Sequence, residues 1–396
     1  MSAERYPVED FSSSTPRWAG AAVVGAAAFL LALAVGQSAR AWEAFLVNLL
    51  FWMGLAQGGV VASAAFYLAQ GRWGGAIAYR LAEAFSGFIL PGFILFWLLF
   101  LGREVIFPWV THPIPRLTPW LNVPFLFARD GIGLAWMTFL SYLFVRASRS
   151  AETQQWVNSP SEIELPPKAI RRLAPTLAIS YAAVYSVIAF DLIMSLSPRW
   201  YSTLFGVYYF ESAFWLALAA MGFVAVRMLN RVPPNSLLAS PQLRHDIGKL
   251  IFAFSIFWVY LSYAQFLAIW YAHLPQETFF VVPRYRRLPW AIPGWATVIL
   301  VWVIPFLTLL GKKPKQNPKI LATVSFLGMI GIWLELYVLV TPSLSPHEIP
   351  FGWVEALVTL GFYGLFRLCT REGFARLIEA ANASVVETEG AREVAG

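Results

Sequence analysis

The sequence predicts an all-α polytopic membrane protein of ten transmembrane helices, and three observations carry that prediction. Hydrophobic residues make up 58% of the 396-residue chain and charged residues only 13%, against about 25% charged in an ordinary soluble domain. The apolar residues gather into long stretches, and a helix needs about 20 such residues to cross a hydrocarbon core. The two-residue alternation of a membrane β-barrel strand is absent.

The first stretch is Trp18–Val35. Ala39-Arg40-Ala41 behind it resembles a signal-cleavage site, yet Glu4, Glu9 and Asp10 oppose Arg5 and Arg17 in front of a long apolar run. It therefore reads as a retained anchor helix. The second stretch, Glu43–Ala69, contains Gly54-Leu55-Ala56-Gln57-Gly58, continued by Gly59 and Ser63. Small residues at that spacing let two helices approach closely. The third, Leu81–Gly102, carries Pro91-Gly92, which predicts a kink. The fourth is Pro124–Arg146, and it must include Arg129-Asp130 because Gly131–Val145 alone is too short to span. Leu173–Leu196, Phe205–Met228 and Ile247–Tyr271 follow, then Trp290–Leu310 with a second kink expected at Pro305. Ile320–Val340 and Phe351–Cys369 complete the set. The connector 147–172 holds prolines and charges, and the tail after Arg371 suits a short surface helix to about Ala381.

The net charge is +7, with 29 Lys and Arg. Most of them fall in the N-terminal segment, the even-numbered loops and the C-terminal tail, which places both termini in the cytoplasm. The chain then divides into a cytoplasmic segment 1–17, a membrane domain 18–369 and a cytoplasmic tail 370–396. The basic balance reports topology, and no nucleic-acid partner is expected. Membrane lipids are partners instead, with Lys312-Lys313-Pro314-Lys315 a basic turn suited to acidic headgroups.

Much redox chemistry lacks its ligands here. Cys369 is the only cysteine, whereas an iron–sulfur cluster takes about four. His112, His245, His273 and His347 all fall in loops or at helix ends, so no histidine pair faces inward to hold a haem. Glycine-rich phosphate motifs are also missing. A self-sufficient redox enzyme is not expected.

Ionisable residues within a bilayer are costly and are functional candidates by default. Asp191 lies late in the fifth helix, Glu211 early in the sixth and Glu335 late in the ninth. These fall toward the periplasmic side, with Glu104 and Glu355 near the rim. Glu83 is the main acid on the cytoplasmic side. Short acids a turn or more inside cannot snorkel as Lys and Arg do, so Asp191 and Glu335 read as proton carriers; the alternative is an interfacial rim of paired charges. Two periplasmic loops share a composition. One reads Arg103-Glu104-Val105-Ile106-Phe107-Pro108-Trp109 and then His112-Pro113; the other contains Trp270-Tyr271-Ala272-His273-Leu274-Pro275-Gln276-Glu277. Aromatics beside a histidine suit a flat ring ligand, and they also suit an aromatic belt at the membrane interface.

The segment Tyr263-Ala264-Gln265-Phe266-Leu267-Ala268-Ile269-Trp270-Tyr271, followed by Leu274-Pro275-Gln276-Glu277, resembles a signature of the NrfD/polysulfide-reductase-like membrane subunits. Phe45–Tyr67 and Pro91–Trp109 are similar to the ActF type, found in bacterial alternative complex III. The resemblance implies two four-helix bundles, helices two to five and six to nine, related by pseudo-symmetry, with helices one and ten peripheral. It implies a place in the bacterial inner membrane, in a respiratory or photosynthetic quinol:cytochrome c (or other electron carrier) oxidoreductase. The implied partners are a related quinol-binding subunit of ActC type, an iron–sulfur protein, and multihaem and monohaem c-type cytochromes. Haem and clusters would lie in those partners, with quinol or menaquinol as the only organic redox ligand. No helix-borne histidine stands ready to accept a quinol proton, which is a departure from an evident quinol site.

The first reading is a supporting subunit whose Glu83, Asp191, Glu211 and Glu335 carry protons, with Gln57 and Gln265 as polar links. The second makes this chain the quinol-binding subunit, with Arg103, Glu104, Trp109, His112, Trp270, Tyr271 and His273 around the ring. The third is a secondary transporter built on kinked helices.

Overall fold

A backbone in lipid has no water to satisfy its N–H and C=O groups, so an apolar stretch must close its hydrogen bonds on itself as a helix. The computed structural model describes residues 15–70, 75–158, 165–272 and 275–395, and every regular element among them is helical. Helices α1 (Thr15–Ala34), α2 (Ser38–Leu68), α3 (Gly75–Glu83) and α4 (Ile89–Leu98) are followed by α5 (Val123–Ser148), α6 (Lys168–Leu192) and α7 (Phe205–Arg227). Next come α8 (Pro241–Ala272), α9 (Pro275–Tyr285), α10 (Ala291–Val298), α11 (Ile304–Thr308) and α12 (Pro318–Val340). The last two are α13 (Trp353–Cys369) and α14 (Arg371–Ala395). Among the described residues, nine helical spans are long and apolar enough to cross a membrane, with α3–α4 and α10–α11 each counting as one. The tenth apolar stretch forms α13, which at 17 residues is one short of the shortest of those nine.

Both expected kinks are present, and both sit one turn before their proline. Proline cannot donate to the carbonyl four residues back. For Pro91 that carbonyl is Gly87, inside the 3₁₀ turn Ser86–Phe88 that separates α3 from α4. For Pro305 it is Val301, at the centre of the π-turn Ile299–Val303 between α10 and α11.

The helices close into two rings. In the first, α2, α3–α4, α5 and α6 each touch the next, and α6 returns to α2; in the second, α7, α8, α10–α11 and α12 do the same. The rings meet where α2 packs on α7 and α12, and where α6 packs on α7. Helix α13 lies against α2 and holds α1 at the outside. The central helix α2 is consequently buried along its apolar length, where α1 is mostly exposed.

Small residues make the central contact. A Cβ added at Gly58 would stand 2.5 Å from the Ala213 carbonyl oxygen and 3.1 Å from Ala217 Cβ, and one at Gly54 would stand 3.0 Å from Ala213 Cβ. Gly59 faces the other way, with Ala82 oxygen 2.5 Å from such a carbon. The glycines thus bring α7 to one side of α2 and α3 to the other. Gly25 on α1 and Gly361 on α13 make a similar backbone-to-backbone crossing.

Beyond the spans, α14 runs to Ala395, past the end near Ala381 that the sequence suggests. Phe374, Leu377, Ile378, Ala381 and Val385 are buried at helical spacing, so the apolar stripe continues one turn further. The 147–172 connector contains a helix, Ala151–Asn158, anchored by buried Trp156 and Val157. Lys315 of the basic turn points inward, its ammonium 4.9 Å from the Phe252 ring centre.

Gly58→Ala is expected to lower the thermal midpoint in detergent by the equivalent of about 1–3 kcal/mol, the usual cost of overpacking. Gly20→Ala, where nothing lies within 4 Å, is the matched control and should show no loss. Equal midpoints would place the α2–α7 contact elsewhere.

Candidate functional site: buried acids and an aromatic cavity

Three of the places where the fold buries carboxylates bear on function, and their partners differ in kind. Glu83 ends α3 and is fully buried. It accepts hydrogen bonds from Ser63 of α2 at 3.1 Å and from Ser148 of α5, while Arg80 and Arg149 each stand 3.4 Å away. Tyr67 reaches Ser148 at 3.0 Å. The cluster ties three helix ends together around one anion. Further along α2, Gln57 donates to Ser141 of α5 at 2.8 Å, a bond across the ring.

Asp191, near the end of α6, is held just as firmly. Arg129 of α5 contacts both its oxygens, with Nη2 at 2.6 Å from Oδ1, and Trp120 Nε1 donates to Oδ1 at 3.0 Å. The guanidinium lies 3.9 Å over the Trp120 ring and also donates to the Trp120 carbonyl. A bidentate, ring-stacked arginine is the strongest common clamp for a carboxylate. Asp130 is itself buried and stands beside Asp191, the two carboxyls facing each other.

The third place lies inside the second ring, on α7 and α12. Glu335 of α12 accepts from Ser212 of α7 at 2.9 Å and from the Trp258 indole of α8 at 3.2 Å, with Tyr208 adjacent. Glu211, next to Ser212 on α7, is buried and has no hydrogen bond to either oxygen. Glu211 lies within the field of Glu335, and neither acid has a basic partner among the described residues. Tyrosines of α6 and α7 surround them: Tyr181 donates to Phe210 oxygen at 2.6 Å, Tyr185 to Met53 oxygen at 3.2 Å, and Tyr209 stacks on Tyr185 with ring centres 6.0 Å apart.

Tyr208 also lines a cavity of about 740 Å³ between α8, α9 and α10, whose walls include Gln265, Trp270, Phe280, Arg284 and Trp295. That volume lies within the range of small-molecule sites, about 300–1,000 Å³. Trp200 and Phe280 stack at 3.7 Å to close one side. Gln265 faces this space with only a long 3.5 Å contact to Leu261 oxygen.

The residues expected around a flat ring do not gather here. Trp270 lines the cavity, but Tyr271 is 82% exposed and is not part of its wall. His273 lies outside the described residues. Arg103 and Glu104 form an exposed pair at 3.1 Å, and His112 is exposed beside Thr111. Trp109 is buried against Phe107. None of those four residues lines the cavity. Glu355, expected near the rim, is buried and paired with Arg40 at 2.7 Å.

Buried charged groups that the sequence analysis does not single out include Arg284, Arg244, Asp246 and Glu43, which accepts from Ser345 at 3.3 Å. Asp130, which the length of the fourth span places within that helix, is buried. Arg284 reads as a loop residue until α9 folds back over α12. Among the described residues, no group of three or more His, Cys, Asp or Glu is placed to hold a metal.

Compared with protein-family models and with curated proteins, the chain matches none. The likeness to NrfD-like subunits therefore rests on the residues quoted above.

Asp191→Ala strands the Arg129 guanidinium at a buried site, and the expected loss is about 3–5 kcal/mol of stability. Replacing both partners, as Arg129→Met with Asp191→Leu, should recover most of that loss in thermal unfolding. A double variant no more stable than the single one would contradict a clamp between these two residues.

Proposed function

We propose that this chain is a membrane subunit of a bacterial quinol:cytochrome c (or other electron carrier) oxidoreductase, without a redox metal of its own, that offers a proton-transfer site. Ten spans, cytoplasmic termini and a place in the inner membrane belong to the same reading. So do its partners: an ActC-like quinol-binding subunit oxidising quinol or menaquinol, an iron–sulfur protein and c-type cytochromes. The seventh-helix segment Tyr263–Tyr271 suggests the family. The two closed rings with α1 and α13 outside them are the arrangement that the resemblance implies.

The observation that carries the proton role is the Glu211–Glu335 pair. Burying a charge without a counter-ion is costly, so two buried acids with no cation are suited to hold and release a proton instead of a fixed charge. Glu335 has neutral donors from Ser212 and Trp258 to steady it, and Glu211, one residue before Ser212, has no hydrogen bond to its carboxyl among the described residues. Tyr208 connects the pair to the cavity. Glu83 and Asp191 differ, because each would have to break from arginine before taking a proton. Electron flow in the partner subunits would bias protonation of the pair. The supporting role is favoured over quinol binding by this chain because Arg103, Glu104, Trp109 and His112 lie away from the cavity.

In proteoliposomes holding the whole complex, Glu335→Gln and Glu211→Gln should each leave quinol oxidation near wild type and lower the protons moved per electron. An unchanged proton yield in both variants would end the relay assignment.

A further inference from the structure

Arg284 carries a charge that nothing described around it neutralises. It is 3% exposed. Its Nε donates to Val338 oxygen at 2.9 Å, Nη2 to Leu339 oxygen at 3.0 Å and Ser343 Oγ at 2.7 Å, and Nη1 to Phe280 oxygen at 2.8 Å. The cation also lies 3.6 Å over the Phe280 ring. Every one of these acceptors is neutral. They occupy four of the five N–H donors that a guanidinium has, leaving one on Nη1. Burial pulls the group down to about 9 from the ordinary 12.5, which is the mark of a cation held in a poor solvent without an anion.

The aromatic cavity lies against this group. Its described lining contains Arg284 and a second arginine, exposed Arg286, and no Asp or Glu. The rest of the wall is largely aromatic and aliphatic. Phe266, Trp270 and Trp295 line the cavity and are themselves exposed on apolar helices, so the opening faces the side from which lipid would enter. An apolar body with a positive end is complementary to an anionic amphiphile.

We propose that this cavity binds an anionic phospholipid, with its phosphate at Arg284 and Arg286 and an acyl chain along the aromatic wall. A neutral ring compound would leave the Arg284 charge unanswered, and a free phosphate would leave the apolar wall unfilled. The lipid site shares Tyr208 with the Glu211–Glu335 pair, but it rests on Arg284 and the cavity wall and does not depend on the relay.

The test is lipid exchange on the full-length protein, delipidated in detergent and titrated with phosphatidylglycerol or phosphatidylcholine under native mass spectrometry. Phosphatidylglycerol should be retained about 25-fold more strongly, about fivefold for each of the two arginines facing the anionic lipid. Arg286→Gln should remove most of that preference, and Val298→Trp, which fills the cavity and leaves both arginines in place, should abolish retention. Arg284→Gln should act as Arg286→Gln does; if it fails to fold, the other two variants still decide. Equal retention of the two lipids would overturn the proposal. So would displacement of phosphatidylglycerol by a neutral prenylquinone, or by inorganic phosphate alone.

Discussion

The close approach of α2 and α7 is the constraint on which the rest of the architecture depends. At Gly54 and Gly58 the two helices come together with no room for a Cβ, and lipid offers no hydrophobic force to join helices that fit poorly. Each helix also belongs to its own ring, so this contact sets how the rings sit together. The positions of Glu211 and Ser212 follow from it, because they are on α7 immediately before Ala213, the residue that Gly58 meets. A bulkier residue at the contact would displace the polar site as well as the packing.

Charge in the interior is handled in two ways, and the contrast organises the functional reading. Glu83, Asp191 and Glu355 are each neutralised by arginine at a place where helix ends converge. The first two pairs fasten helices of the first ring, and the third fastens α13 to α2. Glu335 lies inside the second ring with neutral donors, Glu211 on α7 has none, and Arg284 on α9 has neutral acceptors only. Breaking a buried pair is strongly destabilising, so the fastened acids are poor places for chemistry that must change charge. The uncompensated groups are where a proton or an anion can be accommodated.

Much of the fold was legible in the sequence because lipid leaves an apolar stretch little choice but to be a helix. Pro91 and Pro305 marked the breaks, although the distortion appears one turn earlier, at the carbonyl that each proline cannot satisfy. The glycine spacing in Gly54–Gly58 announced a close contact without saying with which helix. The sites were harder to read. Depth along a helix picked out Asp191 and Glu335 as buried acids, yet only three-dimensional contacts separate the one clamped by Arg129 from the one held by Ser212 and Trp258. Arg284 gave no signal at all, since a loop arginine becomes a buried cation only through the folding of α9 onto α12. The paired aromatic-and-histidine loops shared a composition, but composition did not show that Trp109 would turn into the first ring's core while Trp270 lined a cavity of the second.

The central claim is that this chain works within an electron-transfer complex and not alone. The most direct measurement is purification through a tag on this chain in mild detergent, with visible spectra and mass spectrometry of whatever accompanies it. The account predicts c-type haem absorption, an iron–sulfur protein and a second, related membrane subunit in fixed proportion, with quinol-dependent reduction of an electron carrier. A colourless, solitary protein that remains intact and catalyses substrate uptake by itself would contradict it.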